Sequence, residues 1–178
     1  MSSEKEYAIS WIDNNRDRIV EISDKIWSFA ELGLVEYKSS SLLINELKKH
    51  GFRVKRGVAG MPTAFIASYG ESKPIIAVLG EYDALPGLSQ KKIPRKEPLE
   101  PGKPGHGCGH NIYGASGIAA AIAARYAMEK YGVKGTVRFY GCPAEENLSG
   151  KVFMVRDGYF RDVAVSYTHL TLPTKRIV

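Results

Sequence analysis

Cysteine is scarce in this 178-residue chain, which carries only Cys108 and Cys142. Two cysteines cannot make a disulfide framework, so a reducing cytoplasm is the expected compartment. Long apolar runs are missing too. The longest run of small apolar residues, Ile118 to Ala124, is far too short to cross a bilayer. The opening residues MSSEKEYAIS lack the apolar core of a signal peptide. A concentrated basic tract is also absent. Net charge is +6, but the basic residues are scattered apart from Lys91, Lys92, Arg95 and Lys96. That group sits among prolines beside Glu97 and Glu100, which describes a solvated loop. Neither nucleic acid nor a membrane is an expected partner. Hydrophobic content of 44% and charged content of 25% are ordinary, and the length suffices for one domain with a real core.

What is present centres on one loop, Gly105-His106-Gly107-Cys108-Gly109-His110-Asn111. It holds two of the four histidines and one of the two cysteines. Glycine costs little where backbone turns sharply or approaches an ion. In an extended loop Cys108 and His110 point the same way. A thiolate and an imidazole together suit zinc or a similar divalent metal. The bland alternative is a glycine-rich turn before a helix, with a thiol that only packs.

Along the chain, Ser3 can cap a helix whose apolar positions Ile9, Ile12, Ile19, Ile22, Ile26 and Phe29 run to about Leu32 and Gly33. Trp11 and Trp27 read as packing residues. A second helix is predicted over 39–50, with Leu42, Leu43 and Leu47 inward, Gly51 as its stop and His50 favouring its dipole. Residues 52–58 and 63–69 read as paired strands, and 74–80 as a strand buried on both faces. That strand leads into Glu81-Tyr82-Asp83, where open α/β sheets bind ligands. Asp83 alternatively caps the turn made by Pro86 and Gly87. Residues 86–105 form a long loop rich in proline and lysine. An alanine-rich helix follows over 116–130, then a strand over 135–141, then Cys142-Pro143-Ala144-Glu145-Glu146-Asn147 and a short helix over 150–157. The expected fold is doubly wound α/β, with helices on both faces of a mixed sheet and three polar clusters along one edge.

Residue types then set the chemistry. A metal held by Cys108, His110 and Glu146 would polarise a carbonyl and acidify a water. Glu145 could take the water's proton and pass it to a leaving amine. Adjacent residues of an extended segment point opposite ways, so a bend must bring both glutamates to the site. Asp83 would orient a ligating group or its water. Outside catalysis, the loop could be a structural zinc site or an anion-binding helix start. Carboxylates beside one thiol and one imidazole suit an open catalytic site better than a closed shell.

The stretches GEYDALPGLSQ, GHGCGHN and GTVRFYGCPAEEN, followed by SGKVFMVRDGYF, resemble the M20 metallopeptidase family and its amidohydrolase branch. The likeness covers nearly all of residues 5–164. It implies the N-terminal part of a zinc-peptidase-like catalytic domain. It also implies Cys108, His110 and Glu146 as metal ligands, Glu145 as general base, and Asp83 as the metal-site aspartate. Many members of the wider branch carry Asp where this chain has Asn111. The resemblance further implies two metal ions, zinc or manganese, in each full-length copy. The implied substrates are amides of N-acyl amino acids or aryl-glutamates, and the implied assembly is a homodimer or hetero-oligomer. Residues 165–178, VSYTHLTLPTKRIV, do not resemble the family's continuation. They read as a translated sequencing adapter fused to residues 1–164, so His169 is not counted as a ligand and the chain alone is expected to be inactive.

Overall fold

The computed structural model describes residues 2–167. Expectations for residues 168–178, His169 included, lie outside the described residues. The chain opens with α1 (Ser3–Asn14) and α2 (Arg16–Phe29), where the periodicity predicts one helix. Asn15 breaks it. Its backbone leaves the helical region, and its side-chain amide donates to the Trp11 carbonyl at 2.8 Å. An asparagine that bonds its own helix competes with the next turn. Ser2, rather than Ser3, occupies the cap position of α1, without a side-chain capping bond. The periodic pattern also ends early. Ala30 turns left-handed after Phe29, and Leu32 pairs with Ala84 instead of continuing the helix.

Helix α3 (Tyr37–Lys49) buries Leu43 and Leu47, with Leu42 half-buried against the same cluster. His50 does not act as a free dipole partner. Its Nδ1 lies 3.1 Å from the Tyr126 hydroxyl and its ring meets Trp11 edge-on. Burial holds its pKa below the ordinary histidine value. Trp11 stacks on Tyr126 and packs against the core, as expected of a packing residue.

Five strands form one mixed sheet in the order β1-β2-β4-β3-β5. These are β1 (Arg53–Arg56), β2 (Phe65–Gly70), β3 (Ile75–Glu81), β4 (Thr136–Cys142) and β5 (Val165–Tyr167). The first two pair antiparallel with each other, and β2 pairs antiparallel with β4. The pairs β3–β4 and β3–β5 are parallel. Side chains alternate across the sheet and feed two apolar layers. One joins Ile26, Leu43 and Ile122 to Phe65 and Phe139. The other joins Ala77, Leu79 and Tyr140 to Met154. Elements therefore cover both faces, with α4 (His110–Tyr131) on the first and α6 (Gly150–Arg156) on the second. A one-turn helix, α5 (Glu145–Leu148), precedes α6. Among the described residues no helix is long and apolar enough to cross a membrane.

Two features aim the fold at one edge. In the β3–β4 register Glu81 sits opposite Cys142, so the two carboxyl ends finish level. Helix α4 then closes tightly over β3. A side chain at Gly114 would meet the Glu81 carbonyl at 2.9 Å, so only glycine admits this approach without a shift. The basic loop 86–105 folds back on itself through Ser89 N–H to Lys103 O at 2.9 Å and Lys91 N–H to Glu97 O at 2.9 Å. Among its cations, Lys91 and Arg95 pair with Glu97, and Lys92 pairs with Asp24 at 2.7 Å.

Candidate metal centre

Strand β3 delivers the first carboxylates. Glu81 and Asp83 fall on one side of the extended backbone and Tyr82 on the other. Tyr82 is fully buried and donates its hydroxyl to the Thr63 carbonyl at 2.7 Å. Glu81 and Asp83 are also buried. Helix α4 supplies the histidine from its first residue, because Gly109 turns left-handed and caps it. Cys108 and His110 thus flank a helix start and not an extended loop, as the sequence spacing alone suggests. They still converge with Glu146.

His110 is the hub. Its Nδ1 lies 2.8 Å from Asp83 Oδ1 and its Nε2 lies 3.2 Å from Glu81 Oε2. Glu145 Oε2 and Glu146 Oε1 stand 3.9 Å and 3.8 Å from the same Nε2. Donor atoms of Cys108, His110 and Glu146 all lie within 4.8 Å of one another, as do those of Glu81, His110 and Glu145. The bend that both glutamates require comes from Ala144, left-handed at φ 55°, followed by the single turn of α5. Asp83 braces the arrangement. One of its oxygens holds His110, and the other accepts the Glu146 backbone N–H at 3.0 Å. Asp83 is therefore more than a cap for the turn at Pro86 and Gly87. Asn111 donates to Ser23 Oγ at 2.9 Å and ties α4 to α2.

The electrostatics are lopsided. Burial pushes the Asp83 carboxyl up, but the His110 contact and the Glu146 N–H outweigh it and leave the pKa below the usual carboxylate value. Burial opposes a charged His110, yet Asp83, Glu81 and Glu146 raise its pKa above the ordinary histidine value. Cys108 is exposed, and the Glu146 hydrogen bond, then burial and the surrounding carboxylates, push its thiol up to about 11. Four carboxylates and a thiol thus face one imidazole and one ammonium, Lys151, which contacts Glu81. Glu146 Oε1 is buried without a hydrogen-bond partner. A buried carboxylate oxygen that accepts no hydrogen bond is costly unless a cation meets it. The donor set fits a divalent metal.

All five residues singled out from the sequence come together: Asp83, Cys108, His110, Glu145 and Glu146. Sequence reasoning gives Glu81 no role of its own, although it ends β3 two positions before Asp83 in extended backbone and so lies on the same side. It also misses Lys151, because nothing local marks one lysine on a short helix.

The sheet and this donor set define an α/β domain with a candidate metal site at the carboxyl ends of β3 and β4. Residues 77–175 match peptidase family M20/M25/M40. Over 158 residues the chain is 51% identical to a p-aminobenzoyl-glutamate hydrolase subunit of Escherichia coli (strain K12), a match spanning 88% of this chain and 33% of that protein. It is 30% identical over 175 residues to Xaa-Arg dipeptidase of Mus musculus, spanning 92% of this chain and 37% of that one. The fold matches a dinuclear metal-binding M20 peptidase from Bacillus subtilis with TM-score 0.72 and 26% identity, covering 88% of this chain and 43% of that chain. The chain belongs to peptidase family M20/M25/M40, whose members are hydrolases. It spans about a third of the length of the curated relatives it matches.

Proposed function

We propose that this chain carries part of the catalytic domain of a metal-dependent hydrolase that cleaves amide bonds in N-acyl amino acids or aminobenzoyl-glutamate-like substrates. The observation that carries the reading is the convergence of Cys108, His110 and Glu146 donor atoms within 4.8 Å of one another, with Glu146 Oε1 buried and lacking a hydrogen bond. The likeness to an aminobenzoyl-glutamate hydrolase supports the substrate class. A divalent cation there would supply polarisation of the scissile carbonyl and a lowered pKa for an attacking water. Cys108, His110 and Glu146 would hold it, with the carboxylates of Glu81 and Glu145 beside His110. The thiol favours zinc, and the carboxylates also admit manganese. Glu145, half-buried on the free turn of α5, takes the proton from water and delivers it to the leaving amine. Asp83 fixes the His110 ring so that Nε2 faces the cluster. Anion binding at the start of α4 is disfavoured, because four carboxylates surround that helix end. We place the full-length protein in the cytoplasm, as a homodimer or hetero-oligomer. The Escherichia coli relative is named as one subunit of its hydrolase, which supports the assembly. Two free cysteines support the compartment.

Hydrolysis of aminobenzoyl-glutamate and N-acyl amino acids, assayed with added zinc or manganese, tests the proposal. Turnover is expected from the full-length protein and none from the 178-residue chain alone. A full-length protein that bound metal but cleaved neither class would sink the substrate assignment.

Metal affinity should also depend steeply on pH. A thiol pushed up to about 11 is protonated at neutral pH, so a cation must displace its proton. The raised His110 pKa adds a second proton at lower pH. Affinity should therefore rise with pH, by about tenfold per unit around neutral pH for the Cys108 proton and more steeply at lower pH where His110 is protonated too. Calorimetry in buffers of different ionisation heat counts those protons. Affinity independent of pH would exclude Cys108 as a ligand.

A further inference from the structure

Glu36 lies 108 positions before Ala144 in sequence, yet its carboxylate is fully buried and bonded to that residue's backbone. The Ala144 N–H donates to Glu36 Oε1 at 2.8 Å, and the Thr63 hydroxyl donates to Glu36 Oε2 at 2.7 Å. Thr63 in turn accepts the Tyr82 hydroxyl on its carbonyl at 2.7 Å. One carboxylate thus reaches both strand ends. It meets the end of β4 directly, just before Glu145, and the end of β3 through Thr63 and Tyr82, between Glu81 and Asp83. No sequence motif links these positions.

Ala144 is the residue that most needs holding. A non-glycine residue at φ 55° is strained and persists when its surroundings over-determine it. Glu36 supplies the hydrogen bond, and Gly33 supplies the seat. A side chain at Gly33 would meet the Ala144 Cα and Cβ at 2.9 Å. The same segment docks the other strand end, where the Ala84 N–H donates to the Glu31 carbonyl at 2.8 Å. Residues 31–36 therefore strap both acidic strand ends.

We infer that Glu36 is a positioning residue: it locks the left-handed Ala144 turn and thereby aims Glu145 and Glu146 at His110. The reach to metal rests on the proposed roles of Glu145 and Glu146; the lock on the turn does not. Burial pushes the Glu36 carboxyl above its ordinary pKa, which agrees with a group used for hydrogen bonding and not for charge. Glutamine can keep both contacts, because its oxygen accepts from Ala144 while its NH2 donates to a reversed Thr63 hydroxyl. Alanine keeps neither.

The test compares Glu36→Ala, Glu36→Gln and Gly33→Ala with the wild-type chain. Amide hydrogen exchange is followed over residues 144–148 and over α4, and manganese is titrated by calorimetry. In Glu36→Ala, exchange at 144–148 should accelerate while α4 stays protected. Manganese affinity should fall by about 10–100-fold, the usual cost of losing a group that orients a ligand. Glu36→Gln should restore both. Gly33→Ala should loosen the same segment without touching the carboxylate, and it carries the test with Glu36→Gln if the alanine variant does not fold. Unchanged exchange at 144–148, or acceleration spread equally over α4, would overturn the inference. Local loosening with unchanged manganese affinity would uphold the lock and remove Glu146 from the metal site instead.

Discussion

Replacing Glu145 by glutamine in the full-length protein is expected to cut kcat by about 10²–10⁴-fold, the usual contribution of a positioned general base. Metal content should stay near the wild-type level. The two effects separate because Glu145 and Glu146 differ in setting. Glu146 has its backbone held by Asp83 and one carboxylate oxygen buried without a hydrogen bond, and it faces His110 beside Cys108. Glu145 begins the turn of α5, and its carboxylate is the more exposed of the two. Glutamine keeps the shape and removes the proton acceptor. The comparison is steady-state kinetics beside metal analysis on the same preparations. Turnover within a few-fold of wild type would take the base role away from Glu145, and loss of metal with turnover would make it a ligand.

The parts of this architecture legible in sequence are those with a local cause. The apolar run of β3 predicts a strand covered on both faces, and Leu79 and Val78 do pack into opposite layers. The alanine-rich stretch predicts a helix that lies close to the sheet, and Gly114 and Gly117 show how close. Asp83, Cys108, His110, Glu145 and Glu146 are each readable from a short motif. What is not legible depends on partners distant in sequence. Leu32 leaves the helical pattern to pair with Ala84. His50 finds Tyr126 on another helix. Helix α4 begins at His110 rather than near Ser116, because the left-handed Gly109 caps it there. Glu36 reads as an ordinary polar residue before a helix until Ala144 and Thr63 are brought to it.

The second large effect is expected at Cys108. Serine in its place should weaken divalent-metal binding by more than the roughly 10–100-fold that follows loss of a supporting partner. A neutral hydroxyl replaces a thiolate that contributes charge as well as a bond. Cys108 is exposed, so the substitution leaves neither a cavity nor an unsatisfied buried group. Its thermal unfolding without metal should match the wild type. Equal metal affinity in the two proteins would remove Cys108 from the ligand set. Lower stability without metal would mean that the thiol serves packing.

Cobalt(II) titration of the 178-residue chain, followed by absorption, tests the central claim that Cys108, His110 and Glu146 hold one divalent ion at the end of the sheet. A thiolate ligand gives a sulfur-to-cobalt charge-transfer band that carboxylates and imidazole do not. The account predicts that band in the wild-type chain, growing to saturation with bound cobalt, and its loss in Cys108→Ser. Cobalt that binds with no such band, or a band that survives in Cys108→Ser, would contradict it.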